Sequence, residues 1–107
     1  MKELNSLIIS HNRIKDLGKV LKGCTALTKL SMSHNRVEDL SGKALRDCTK
    51  LFELKAGHNA IKELPSEFKS CYRLRILDLA GNMIPNVEAI KVLQELKYLR
   101  HLVLKGN

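Results

Sequence analysis

A nine-residue pattern, L-x-x-L-x-L-x-x-N, returns five times in this chain, and it constrains the fold more than any other feature. The copies occupy residues 4–12, 27–35, 51–59, 74–82 and 99–107. Ile9, Met32 and Ala56 stand in the third leucine place of the first three copies. The closing asparagines Asn12, Asn35, Asn59, Asn82 and Asn107 recur at a nearly constant interval, about 24 residues, inside the range of known solenoid repeats. Four copies continue with Ile or Val and, three residues later, Leu or Val: Ile14 and Leu17, Val37 and Leu40, Ile61 and Leu64, Ile84 and Val87. Self-similarity at this period is the mark of a stacked-repeat architecture, in which each unit buries its apolar face only against its neighbours.

Within each copy the apolar alternation has the period of a strand, so the second and third leucine places point inward. Parallel stacking then sets successive strands about 4.8 Å apart. The asparagine carries both donors and acceptors and is expected to bond the backbone where the chain turns after the strand. Helix-like spacing follows each turn and is clearest at Val87, Ile90, Leu93 and Leu96. Pro65 suits the start of a short helix or an extended arm.

The five copies together resemble the leucine-rich repeat family over essentially the whole chain. The resemblance implies an α/β right-handed solenoid of five repeats, with a parallel concave sheet and short convex helical segments. Coils of this short length are most similar to the intracellular short-repeat branch, which includes a phosphatase-1 regulatory subunit, the U2 A-prime protein and outer-arm dynein light chain 1. That branch implies a protein-binding scaffold that is not an enzyme and needs no cofactor. Family members commonly continue past the last asparagine with Pro and a cap. The expectation is therefore a single domain over residues 1–107, a fragment of a longer protein lacking its caps.

Composition narrows the function. No apolar run approaches the roughly 18 residues of a membrane span, and no apolar stretch of secretory type follows Met1. Membrane insertion is not expected. Lys and Arg number 19 against 11 Asp and Glu, a net charge of +8. That excess favours acidic partners. The three cysteines, Cys24, Cys48 and Cys71, each stand three residues before the first leucine of a repeat, as do Met1 and Leu96. An odd number at a repeated core position reads as buried free thiols in a reducing, intracellular compartment, cytoplasmic, nuclear or cytoskeletal.

Stacking also fixes which side chains share a surface. The outward third places form the column Ser6, Lys29, Glu53, Ile76, His101, and the fifth form Ile8, Ser31, Lys55, Asp78, Val103. Lys29 beside Glu53 and Lys55 beside Asp78 are placed to pair. Phe52, Arg75 and Arg100, in the second place, flank this face. The candidate partner-binding residues are therefore Lys29, Phe52, Glu53, Lys55, Arg75, Asp78, Arg100 and His101, with Phe52 first, since aromatics and arginines dominate binding energy. Mixed charge with apolar gaps favours a protein partner.

The alternative is a basic N-terminal side made by Arg13, Lys15, Lys19, Lys22 and Arg36. It would suit an RNA, as in a ribonucleoprotein or nucleic-acid-associated factor, or an acidic tail such as tubulin's. It lacks the interleaved aromatics on which bases stack. His11, His34 and His58 precede their asparagines and invite a metal, but Ser-His-Asn is an ordinary spelling of the motif, so no metal is expected. Neither a Gly-rich phosphate loop nor a G-x-S-x-G or H-E-x-x-H motif occurs, and no catalytic residue is assigned.

Overall fold

The computed structural model describes residues 3–40 and 45–107. Met1, placed above in the cysteine column, lies outside them. Five short strands form one parallel sheet in chain order: β1 (Ser6–Ile8), β2 (Lys29–Ser31), β3 (Glu53–Lys55), β4 (Ile76–Asp78) and β5 (His101–Val103). Leu7, Leu30, Leu54, Leu77 and Leu102 are paired in one register along the sheet. Backbone bonding reaches beyond the strands on both sides. The N–H of Phe52 donates to Thr28 and that of Arg75 to Phe52, before the strands; His34 donates to Gly57 and His58 to Ala80, after them. Each coil is thus fastened to the next over a stretch longer than the strand itself.

The core lies between this sheet and the returning segments. It is aliphatic, as scarce aromatics require; among the described residues Phe68 is the one ring buried in it. The cysteine column is fully buried, and Leu96 extends it into the fourth coil. Each member closes a tight turn before its strand: Cys48 N–H donates to Leu45 and Leu51 N–H to Cys48, and the same pair of bonds recurs at Cys71 and Leu96.

The convex segments are helical but only partly α-helical. A short helix α1 (Leu17–Leu21) begins at Asp16, whose carboxylate accepts from Gly18 N–H at 2.9 Å. Ser66–Ser70 is a 3-10 segment that starts directly after Pro65. Val87–Glu95 is also 3-10, capped by Asn86 accepting from Ala89 N–H and broken at Ile90 (φ −123°, ψ 22°). Here the expected periodicity is corrected. The tighter 3-10 turn and the break bury Ile90, Val92 and Leu96, while Val87 is left in solvent.

Candidate functional site

The asparagine ladder ties each coil to the one before it. Asn82 Oδ1 accepts from Ile61 N–H at 3.1 Å, and its Nδ2 donates to Ala56 and Leu79 carbonyls, both at 3.0 Å. Asn59 serves Val37, Met32 and Ala56 in the same way, and Asn35 serves Ile14, Ile9 and Met32. Asn107 repeats the pattern on Ile84, Leu79 and Leu104. Burial is uneven, however. Asn35 and Asn82 are buried, Asn59 is partly so, and Asn12 and Asn107 are exposed.

Beside the ladder, His11, His34 and His58 stack with ring centroids 4.4 Å apart and planes within 10° of parallel. All three have left-handed backbone, φ 55–60°, and Gly81 (φ 65°) and Gly106 (φ 79°) hold the same place in the last two coils. This place is reserved for residues that tolerate a left-handed turn, as histidine does better than most. The ring nitrogens' lone pairs lie in parallel planes and do not converge on a common ion. Among the described residues no group of three His, Cys, Asp or Glu is arranged to hold a metal. The His34 imidazole is pushed below its usual pKa, first by desolvation between its neighbours and then by the charges of His11 and His58.

The concave columns fall as the spacing predicts: Ser6, Lys29, Glu53, Ile76 and His101 pair in register, as do Ile8, Ser31, Lys55, Asp78 and Val103. Lys29, Glu53 and Lys55 share a shallow hollow of about 220 Å³ with Ser6, Ile8 and Ser31. Asp78 and His101 lie further along the same face. The expected ion pairs do not form. Among the described residues the ion pairs within 4.0 Å are Arg46–Asp47 and Lys91–Glu88. Asp78 Oδ1 accepts instead from Ala80 N–H at 2.9 Å.

Phe52 and Arg75 are brought together, but on the leading edge of the sheet. The Arg75 guanidinium lies over the Phe52 ring, 5.6 Å from its centre. Both line a groove of about 690 Å³ with Thr28, Lys50, Tyr72, Arg73 and Tyr98. Arg100, exposed in the second place of the last coil, is not part of its lining. Five lining residues, Thr28, Lys50, Tyr72, Arg73 and Tyr98, were missed in the sequence. Thr28 takes the second place of its coil, and the other four precede the first leucine of theirs, outside the pattern. An extra column read there (Glu3, Ala26, Lys50, Arg73, Tyr98) would have found most of them.

The basic side does not form a patch of one sign. Lys19 and Lys22 share a hollow with Asp16, Asp47 and Arg46, whereas Lys15 does not line it. Arg13 and Arg36 follow the ladder asparagines and are exposed. The thiols are free and buried. Burial pushes Cys48 up to about 12, reinforced by Cys71, Cys24 and Asp47, and pushes Cys71 up to about 11. Neither is a nucleophile at neutral pH.

Comparison with known proteins agrees with this geometry. The family model described as leucine rich repeat matches residues 2–61. A search of curated protein sequences gives no match. Among solved structures, internalin C2 from Listeria monocytogenes is 32% identical with a TM-score of 0.82, covering 94% of this chain and 42% of its own. A leucine-rich repeat protein from Leptospira interrogans is 28% identical with a TM-score of 0.85, covering 96% and 26%. A second Listeria monocytogenes internalin is 26% identical with a TM-score of 0.76, covering 99% and 36%. The chain spans less than half the length of each of these structures.

Proposed function

Since the chain belongs to the leucine-rich repeat family, whose members serve as protein-interaction modules, we propose that it is a non-enzymatic scaffold docking a partner protein on its concave face. One observation carries this reading: five strands in unbroken parallel register hold Lys29, Glu53, Lys55 and Asp78, from three successive coils, on one surface. A surface ordered before binding loses little conformational entropy when a partner docks. Ile8, 77% exposed at the start of the fifth-place column, adds an apolar anchor beside the charges.

The short coils and the free, buried thiols support the intracellular short-repeat branch and a reducing compartment. No helix among the described residues is long and apolar enough to cross a membrane. On the basic side, Asp16 and Asp47 stand in one hollow with Lys19 and Lys22, which gives that part of it no single sign to present to nucleic acid.

The test is capture of a partner from lysate at physiological salt, with a nuclease arm, followed by titration of the purified partner. The expected result is a protein partner that survives nuclease and is lost with Lys55→Glu at unchanged melting temperature. Loss of the captured material to nuclease would overturn the reading.

A further inference from the structure

The leading-edge groove has a composition found nowhere else on the described surface. Three of the chain's four Phe and Tyr residues line it: Phe52, Tyr72 (48% exposed) and Tyr98 (53% exposed). Three cations, Lys50, Arg73 and Arg75, line it with them, and no carboxylate does. None of the three cations has an ion-pair partner among the described residues. Exposed aromatic and cationic side chains around one hollow are the composition of a binding site rather than of a solvated face.

The positions of the guanidiniums identify the occupant. Arg75 lies over Phe52 and Arg73 over Tyr72, each 5.6 Å from the ring centre. A guanidinium held against a ring loses little further freedom on binding, and its in-plane donors remain available for a carboxylate fork. The same arrangement leaves bases less to stack on, because stacking needs a free aromatic face and one face each of Phe52 and Tyr72 is covered by arginine. From Thr28 to Tyr98 the groove crosses three coil steps, about 14 Å at the parallel-strand spacing. An extended peptide covers that distance in about four residues.

We propose that this groove docks a short acidic peptide segment of a partner protein, its carboxylates on Lys50, Arg73 and Arg75 and an apolar residue between Tyr72 and Tyr98. The site lies on the sheet's leading edge and does not depend on the concave-face reading.

A fluorescein-labelled heptapeptide of glutamates and aspartates around a central phenylalanine tests it by anisotropy, beside oligouridylate of similar length and a lysine-for-acid control peptide. The acidic peptide should bind, the control should not, and binding should fall steadily with added salt. Arg73→Gln and Tyr98→Ala should each weaken it about tenfold, the loss of one charge-assisted contact or aromatic anchor. Both residues are exposed, so unchanged melting temperatures confirm folding. Lys55→Glu should leave the affinity unchanged, which separates this site from the concave face. Oligouridylate binding as tightly and losing affinity in the same variants would overturn the proposal. So would peptide binding that neither variant weakens, or no peptide binding at millimolar protein.

Discussion

The two edges of the sheet are built from the same repeat and put to opposite uses. On the trailing edge, Asn35, Asn59 and Asn82 commit their amide groups to the backbone of their own coil and the one before, and the imidazoles beside them are stacked on one another. On the leading edge, Lys50, Arg73 and Arg75 have no carboxylate to answer them among the described residues. A repeat fold must satisfy the backbone wherever the chain turns inside the core. It has no such obligation where side chains stand in solvent before the strands. The trailing edge therefore holds the solenoid together, and the leading edge is open to ligand chemistry.

The largest effect should come from the trailing edge. Asn82→Ala removes the partner of Ile61 N–H and of two carbonyls in a buried site. A loss of about 2–3 kcal/mol is expected in urea unfolding. Asn12→Ala removes bonds from an exposed residue to Ile9 and Ser10, and should cost about 0.5 kcal/mol or less because water replaces them. Equal losses at the two positions would show that the ladder's strength does not follow burial.

Next comes the left-handed turn. At Gly81 a Cβ would lie 2.5 Å from Nδ1 of His58, at a φ of +65°. The imidazole can swing outward, so the backbone strain sets the scale. Gly81→Ala should cost about 1–2 kcal/mol by thermal melting. A neutral result would mean that the turn relaxes to right-handed geometry, and that histidine at 11, 34 and 58 is a choice rather than a requirement.

Much of this was legible because register in a parallel stack leaves little freedom. A one-residue slip would expose every leucine of the repeat, so the two concave columns could be written down from the pattern alone. The ion pairs could not. Neighbouring columns bring Lys55 near Asp78, but long exposed side chains choose their rotamers by entropy, and Asp78 has a backbone donor close by in Ala80. The left-handed turn left a trace, since His11, His34 and His58 give way to Gly81 and Gly106 in one column. Histidine alone is permitted in other conformations, so only the glycines carried the signal. The leading-edge groove escaped because Tyr72, Arg73 and Tyr98 belong to no repeated pattern. Stacking alone makes them neighbours.

The histidine stack gives the comparison a pH dependence. A lowered pKa at His34 means that the unfolded chain binds more protons than the folded one as pH falls through the ordinary value of 6.5. Stability therefore declines on acidification across that value until the folded His34 is itself protonated, and is regained as pH rises above it. Melting temperature measured between pH 8 and 5 should fall in the wild type and fall less in His34→Asn, which keeps a residue suited to the left-handed turn. An identical profile in the two proteins would remove the stack as the source.

The smallest expected effect belongs to the leading edge. Tyr98 is half exposed and Arg73 is exposed, so Tyr98→Ala and Arg73→Gln should each change unfolding free energy by about 0.5 kcal/mol or less. The contrast with Asn82→Ala is the point of the measurement. A solenoid indifferent to these side chains has no structural use for three rings and three cations in one groove. A loss as large as that at Asn82, at either position, would instead make the groove part of the scaffold, packing Arg73 on Tyr72 to shield the strand ends. The two edges would then differ in chemistry but not in purpose.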